Sequence, residues 1–231
     1  MWLAVDAGNS LVKWALLGDG RPLQVETAQH GQWHALKKAA LLADNIWVSN
    51  VGSVDCARQL RQVLAVCGKV RFITAPAQGG DVTNHYRPPT SLGSDRWLGL
   101  VAVRARRRHS IIISTGTATT IDAMSATGVF LGGVVLPGIL AMRQTLAATT
   151  SLQLLPENVS WPPLQTSAAV GNGTLLATAG AALMLRRRLL PGAEIILTGG
   201  NAPALRPWLP QTTVSIPHLP IMGMMRLREE G

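Results

Sequence analysis

Two short polar turns in this chain combine glycine, hydroxyl side chains and charge in a way that suits phosphate binding. The first, "DAGNS" at positions 6–10, begins with Asp6 at the end of an apolar run, and the next apolar run carries Lys13. The second, "STGTATT" at positions 114–120, repeats the glycine and hydroxyl content. Such residues leave backbone N–H groups open to a phosphate, and a carboxylate suits Mg²⁺. Either turn alone is typical of a plain hairpin, whereas the pair with an acid and a lysine favours a phosphate site.

Two further segments have both a chemical and a purely structural interpretation. "ILTGGN" at 196–201 follows a predicted strand. This glycine turn is either a place where an adenosine could lie against the backbone, or only a strand-to-helix turn that needs glycine for its geometry. "GSDRW" puts Asp95 and Arg96 at the predicted start of a helix, where an acid is commonly a cap favoured by the helix dipole.

The histidines and cysteines have no spacing typical of metal ligands. Cys56 and Cys67 form no CxxC pair and are expected to be buried thiols. The five histidines are scattered, so we interpret them as structural or exposed.

The elements that must position these residues follow one pattern twice. Hydrophobic periodicity predicts a three-strand meander and then alternating helices and strands in each half. The predicted strands cover 2–6, 11–17, 22–27, 45–51, 70–74, 110–115, 118–124, 128–136 and 193–198. The predicted helices cover 31–43, 54–66, 95–108, a segment after Pro137, and 166–190, with a loop over 75–93 and a helix fragment near the C-terminus. The expected fold is therefore duplicated α/β, with lobes at 1–109 and 110–231 and a nucleotide cleft between them.

Composition points to a soluble globular protein. Hydrophobic residues make up 47% of the 231 residues and charged residues 14%. No apolar run reaches the roughly 18 residues of a membrane span, and Asp6 interrupts the N-terminal apolar stretch, so we expect a cytoplasmic protein without membrane contact.

The net charge of +9 comes mostly from arginine and is concentrated at 104–109 and 186–188. Each block ends a predicted helix, which is typical of a solvated basic last turn. A nucleic-acid surface would need interleaved aromatic residues, which are missing here. General attraction of anionic metabolites is a third interpretation.

The order of the motifs resembles one family of kinases. Paired glycine loops of this kind are similar to those of the actin and hexokinase type of ATPase, whose two RNase-H-like lobes clamp ATP. More narrowly, "DAGNSLVKW", "NHYRPPTSLGSDRW", "GTATTID" and "GGVVLPG", in this order, resemble type III pantothenate kinase. The resemblance extends from Val5 to about Gly223. It implies transfer of a phosphoryl group from ATP to pantothenate, the first step of coenzyme A synthesis.

The resemblance also implies roles for particular residues. Asp95 would be the base that accepts the proton of the attacking hydroxyl, a role that suits phosphoryl transfer because that chemistry depends on positioning and charge neutralisation. Asp6 would hold Mg²⁺, directly or through water, and Arg96 would meet the pantothenate carboxylate. The expected ATP-binding residues are Asp6, Ala7, Gly8, Asn9, Ser10, Leu11, Val12, Lys13 and Thr117. The expected substrate-binding residues are Tyr86, Gly93, Ser94, Asp95, Arg96 and Thr166.

One position departs from the family pattern. The family usually has an aspartate that binds a monovalent cation two residues before the glycine of the second loop, and this chain has Ser114 there. A serine is a weaker ligand for K⁺ or NH₄⁺, so we expect weak cation activation or other ligands. Asp122 is either a compensating ligand or a solvated strand residue.

The family works as a homodimer, and the small-residue helix at 166–188 is either its packing face or part of the monomer core. Two alternatives stay open: a sugar or small-alcohol kinase of the same fold, and a non-catalytic regulator, since relatives were first described as transcription accessory factors. Retention of Asp6, Lys13 and Asp95 favours catalysis.

Overall fold

The computed structural model describes residues 1–18, 23–152 and 160–230 and divides into two compact units. The first unit comprises Met1–Arg106 and His218–Gly231, and the second comprises Arg107–Pro217. This division differs from the predicted lobes at the C-terminus, where the chain returns to the first unit. The return occurs because the C-terminal helix packs on the helix that begins at Ser94.

The first unit is built on a five-stranded mixed sheet. Its order is β3-β2-β1-β4-β5, in which β1, β2 and β3 form an antiparallel meander and β4 and β5 run parallel to β1. These strands are β1 (Trp2–Ala7), β2 (Leu11–Leu17), β3 (Glu26–Gln29), β4 (Asn45–Asn50) and β5 (Val70–Phe72), and the hairpin of β6 (Gln78–Gly79) and β7 (Val82–Asn84) lies outside this sheet. The helices are α1 (His34–Leu41), α2 (Val54–Leu64), α3 (Ser94–Arg104) and α7 (Leu219–Glu229).

Apolar side chains of the central strands and of α1 and α2 form the core of this unit. Leu3, Val5 and Trp14 from the sheet pack with Leu36 and Leu60 from the helices, and all five are almost fully buried. The polar residues at the ends of β1 and β4 therefore stand on a rigid apolar base.

The second unit repeats the same sheet design. The strands β8 (Ser110–Thr115), β9 (Ala118–Met124), β10 (Val129–Pro137), β11 (Glu194–Thr198) and β12 (Val214–Ser215) follow the order β10-β9-β8-β11-β12. Again the first three form an antiparallel meander and the last two run parallel to the central strand. The helices are α4 (Ile139–Thr149), α5 (Thr166–Leu189) and α6 (Ala202–Leu205). The predicted duplicated α/β fold is confirmed.

Three predicted elements were wrong in detail. The hairpin of β6 and β7 lies inside the predicted loop 75–93; its strands are too short for a periodic signal, and left-handed backbone at Gly80 and Asp81 makes the tight turn. The helix predicted over 95–108 ends at Arg104, before left-handed Arg107. The predicted C-terminal fragment is a full helix, α7. Residue 22, in the predicted strand 22–27, lies outside the described residues.

Helix α5 is long and apolar enough, by length and composition alone, to cross a membrane. Its buried side chains, among them Leu175, Ala179 and Ala182, pack in the core of the second unit against strands β8 and β9. This packing is typical of a core helix in a globular unit, and such core helices can also be long and apolar enough to cross a membrane.

Candidate active site

Asp6, Lys13 and Ser49 stand side by side on three adjacent strands. Asp6 pairs with Lys13 across the antiparallel strands β1 and β2, and with Ser49 across the parallel strands β1 and β4. Side chains of directly paired residues emerge on the same face of a sheet. The sheet register therefore brings together an acid, a cation and a hydroxyl where β1 ends.

The surroundings of Asp6 make its negative charge costly. Burial, followed by the charge of Asp95, raises the pKa of Asp6 to about 7, while Lys13 and a hydrogen bond from Ser49 lower it. Its Oδ1 atom is buried and has no hydrogen-bond partner among the described residues. A buried carboxylate oxygen without a donor, next to a second carboxylate, is the kind of group that a cation would stabilise.

Asp95 lies in the first turn of α3. Its Oδ1 accepts a hydrogen bond from the backbone N–H of Arg96 at 2.8 Å. Burial raises the pKa of Asp95, although this hydrogen bond and the Arg96 charge oppose the shift. Gly93 leaves room for the carboxylate, because a Cβ atom there would lie only 2.6 Å from Asp95 Oδ1. The aspartate is therefore half-buried, held at one oxygen, and close enough to Asp6 for their charges to interact.

Residues before α3 form a polar loop around Tyr86. The buried Asn84 side chain donates to the carbonyl oxygens of Pro76 and Pro89 at 3.2 and 3.0 Å and accepts from the Tyr86 N–H at 3.0 Å. The Arg96 guanidinium lies 5.7 Å from the Tyr86 ring centroid and donates to its hydroxyl at 3.4 Å. Asn84 therefore organises the loop that places Tyr86 beside Arg96.

The first glycine turn is exposed at its tip. Asn9 and Ser10 are exposed, and the Gly8 N–H donates to the Leu11 carbonyl at 3.0 Å. Neither Gly8 nor Asn9 has a positive φ, so this hairpin turns without left-handed backbone at either residue. His30 Nε2 lies 3.0 Å from the Gly8 carbonyl oxygen and, as the N–H donor, would steady the turn.

The two ends of the first turn are fixed in the core of the sheet. Ala7 and Val12 are fully buried there and pair across β1 and β2. Of the ATP-binding residues expected from sequence, these two could contribute only backbone atoms.

The second glycine turn is held from the β11 side. Gly199 has a left-handed φ of 101°, and a Cβ there would lie 2.2 Å from the Thr115 carbonyl oxygen. Asn201 then donates from its backbone to the Thr115 carbonyl at 3.2 Å and from its side chain to the Gly116 carbonyl at 3.3 Å. The third glycine turn of the sequence therefore supports the second one.

The row of side chains next to the second turn is neutral. Ser114 pairs with Thr120 on β9 and with Thr198 on β11. Asp122 is buried and lies two residues from Thr120 on the same strand, so it is not the solvated strand residue that was one of its interpretations.

The first unit gathers most of the residues predicted from sequence. Asp6, Lys13, Tyr86, Asp95 and Arg96 all belong to it, whereas the predicted residues Thr117 and Thr166 belong to the second unit. Sequence reasoning missed Ser49, Asn84 and the contact of His30 with Gly8. A possible signal for Ser49 was its hydroxyl near the end of a predicted strand that runs parallel to β1.

The residues present fit a magnesium ion carried with a nucleotide. Mg²⁺ is usually held by one or two carboxylates together with substrate phosphates rather than by a protein cage. Asp6 supplies one carboxylate with an unpartnered oxygen. Within the described ranges no cluster of three His, Cys, Asp or Glu residues forms a self-sufficient metal centre.

Comparison with known proteins shows which family the chain belongs to. The family model for type III pantothenate kinase matches residues 2–188. A type III pantothenate kinase from Chromobacterium violaceum is 37% identical over 238 residues, covering 98% of this chain and 99% of the relative.

Solved structures share the fold. A protein from Campylobacter jejuni described as a Baf family transcriptional activator matches with a TM-score of 0.68 at 22% identity, covering 99% of this chain and 98% of that one. The activator of 2-hydroxyisocaproyl-CoA dehydratase from Clostridium difficile, with bound ADPNP, matches with a TM-score of 0.52 at 12% identity, covering 97% of this chain and 91% of that one. At such identities the likeness is one of fold alone: the two-sheet α/β fold of actin- and hexokinase-like ATPases and kinases.

Proposed function

This chain belongs to the type III pantothenate kinase family, and we propose that it transfers the γ-phosphoryl group of ATP to the hydroxyl of pantothenate with Asp95 as the base. The observation that carries the assignment of the base is the position of Asp95 in the first turn of α3, close to Asp6. Burial first, and then the charge of Asp95, raises the pKa of the Asp6 carboxyl. The product, 4′-phosphopantothenate, enters coenzyme A synthesis.

The proton transfer follows from the position of Asp95. The carboxylate accepts the proton of the pantothenate hydroxyl as the hydroxyl oxygen attacks the γ-phosphorus, and the bond between that phosphorus and the β,γ-bridging oxygen breaks to release ADP. The Arg96 N–H holds one carboxylate oxygen, and the other would face the hydroxyl. The raised pKa of Asp95 suits this role, because a base works best when its pKa lies nearer to the working pH.

Asp6 and the first turn would bind the nucleotide phosphates. Asp6 would hold Mg²⁺, which neutralises charge on the phosphates when bound. Lys13 is in register with Asp6 and adds a cation on the same face of the sheet. The exposed residues Asn9 and Ser10 at the tip of the first turn suit phosphate oxygens, and Thr117 would contribute from the second turn.

The loop around Tyr86 would bind pantothenate. The forked Arg96 guanidinium matches the substrate carboxylate, and stacking beside Tyr86 orients it. Gly93 and Ser94 lie next to the base at the start of α3, and Thr166 would contribute from the start of α5.

We expect this chain to form a homodimer through helix α5. Helix α5 carries an exposed stripe at helical spacing, here called the α5 stripe: Gly173, Leu176, Ala177, Gly180, Leu183 and Met184. Leu176, Leu183 and Met184 are 46%, 37% and 51% exposed, and neighbouring Leu140 on α4 is 58% exposed. An apolar face with small residues at this spacing suits close packing against an identical helix.

The alternatives from sequence are less favoured. A transcription accessory factor would have no evident need for a buried acid, a lysine and a second acid together. A sugar kinase of the same fold is disfavoured by the arginine placed beside Tyr86, which suits a carboxylate substrate. Free, buried Cys56 and Cys67 agree with a reducing, cytoplasmic location.

An ATP-dependent assay with pantothenate, followed by mass detection of phosphopantothenate, tests the proposal. We expect wild-type protein to form the product and Asp95→Asn to lose about 10²–10⁴-fold in kcat while retaining nucleotide binding. Absence of product from folded wild-type protein with Mg²⁺ would contradict the kinase activity. Wild-type kcat in Asp95→Asn would contradict only the assignment of the base.

A further inference from the structure

Ser49 joins the two acidic parts of the candidate site. We infer that Ser49 is a positioning residue for the phosphoryl transfer: its hydroxyl fixes the first turn of α3, and with it Asp95, against the strand that lies next to Asp6. This inference rests on the proposed function, because it assigns Ser49 to the same reaction.

The hydroxyl of Ser49 lies 2.9 Å from the hydroxyl of Ser94, and the contact is buried. Ser49 is fully buried and Ser94 is 6% exposed. Ser94 is the first residue of α3 and directly precedes Asp95. The contact therefore links residues 45 positions apart in the chain, one on the sheet and one at the start of the helix that carries the proposed base.

Ser49 also lies beside Asp6 and hydrogen-bonds its carboxylate. It is paired in register with Asp6 across the parallel strands β1 and β4, so that both side chains lie on one face. A single hydroxyl thus lies between the strand residue that would hold Mg²⁺ and the helix residue that precedes the base.

The start of α3 makes this link more important. The residue before the helix is Gly93, which has no side chain to cap the first turn, and the Asp95 carboxylate accepts from the Arg96 N–H in that turn. The hydroxyl of Ser94, the first residue of the helix, anchors this turn to β4 through Ser49. A small shift of the turn would move the Asp95 carboxylate away from an attacking hydroxyl, and misplacement by about 1 Å can cost on the order of 10²-fold in rate.

A purely structural role would give a different result. When both partners of a buried hydrogen bond are replaced by apolar groups, the effect on stability is often small, whereas removal of one partner leaves the other unsatisfied. The double variant Ser49→Ala/Ser94→Ala should therefore fold even if Ser49→Ala is unstable, and its kcat reports on positioning.

The experiment compares kcat and both KM values of Ser49→Ala, the double variant and Ser110→Ala, with melting temperatures of each. Ser110 is a matched control: it is a fully buried strand serine in the second unit, and its hydroxyl donates to the Arg108 carbonyl at 3.0 Å. We expect kcat to fall by about 10–100-fold in Ser49→Ala and in the double variant, with the KM for ATP retained. We expect Ser110→Ala to keep the wild-type kcat, whatever its melting temperature.

A second comparison separates positioning from general damage. In an Asp95→Asn background, Ser49→Ala should cause no further loss of kcat, because the group that it positions is already gone. Full loss on top of Asp95→Asn, or wild-type kcat in the folded double variant, would overturn the role of Ser49. If wild-type protein forms no phosphopantothenate, the proposed function itself fails. If wild-type protein forms the product and Ser49→Ala keeps the wild-type kcat, only the role of Ser49 fails.

Discussion

Asp6 and Ser114 occupy the same place in the two sheets. Asp6 lies on β1 and Ser114 on β8, and each is the second-last residue of a six-residue strand. Each also pairs with one residue on the antiparallel neighbouring strand and with one residue on the parallel neighbouring strand. Around Asp6 these partners are Lys13 and Ser49, and around Ser114 they are Thr120 and Thr198. One sheet therefore presents an acid and a cation where the other presents three hydroxyls, so the charge that suits magnesium and phosphate stands in the first unit.

Replacement of Asp6 by asparagine should abolish activity and stabilise the metal-free protein at high pH. The pKa of Asp6 is about 7 in the native state, against 3.8 as its ordinary value. Between these values the native state holds a proton that the unfolded chain has lost, so the free energy of unfolding falls as pH rises through this window. We expect Asp6→Asn to match the wild type near pH 4 and to exceed it by on the order of 1–4 kcal/mol at pH 8.

Urea denaturation in a chelating buffer at several pH values measures this difference. Asp55→Asn, at a side chain that is 70% exposed on α2, is the control. Its free energy of unfolding should follow that of the wild type as the pH rises, because Asp6 is unchanged in this variant. Equal stability of Asp6→Asn and wild-type protein at pH 8 would contradict the expected cost of the Asp6 charge.

A methyl group at position 93 should impair catalysis more than folding. In Gly93→Ala the new Cβ would meet the Asp95 carboxylate at 2.6 Å, so the carboxylate must turn away and lose its hydrogen bond to Arg96. We expect kcat to fall by about tenfold or more with little change in melting temperature. Gly68→Ala is the matched control, since nothing lies within 4 Å of a Cβ there. Equal kcat in the two variants would show that Asp95 tolerates the displacement.

The monovalent cation should have little effect on this protein. Ser114 and its two neighbours are neutral hydroxyls, which bind K⁺ or NH₄⁺ more weakly than a carboxylate would. Turnover in K⁺, NH₄⁺ and Na⁺ buffers should therefore be similar, and Ser114→Asp should introduce a preference for K⁺. A large K⁺-specific stimulation of the wild type would instead point to ligands other than residue 114.

A charge on the α5 stripe should dissociate the dimer. Leu183→Glu introduces a carboxylate into the surface proposed to pack against a second copy, and sedimentation equilibrium should then report a monomer. Leu41→Glu is the control, because Leu41 is 64% exposed on α1 in the other unit. A dimer that persists in Leu183→Glu, or a wild-type monomer, would show that this stripe is not the interface.

Most of the secondary structure could be predicted from local patterns. The strands at 2–6, 11–17 and 110–115 are apolar runs bounded by polar turns, and the helix that begins at Thr166 is a long run of small and apolar residues, so they were found within a few residues. The hairpin of β6 and β7 was missed because two or three residues per strand carry too little pattern. The return of α7 to the first unit was missed because it depends on packing against α3, which no local signal records.

The sequence by itself supplied the candidate groups: Asp6 and Lys13 stand out because magnesium and phosphate each call for such groups, and the order of the motifs, through the family resemblance, assigned expected roles to Asp95 and Arg96. Only the tertiary structure decided how these groups influence one another. Sheet register set Lys13 and Ser49 beside Asp6, and the contact of Ser49 with Ser94 joins the start of α3 to β4, the strand next to β1. The physical reason is that burial and distance control both the pKa of Asp6 and the aim of Asp95, and both arise from residues that are far apart in the chain.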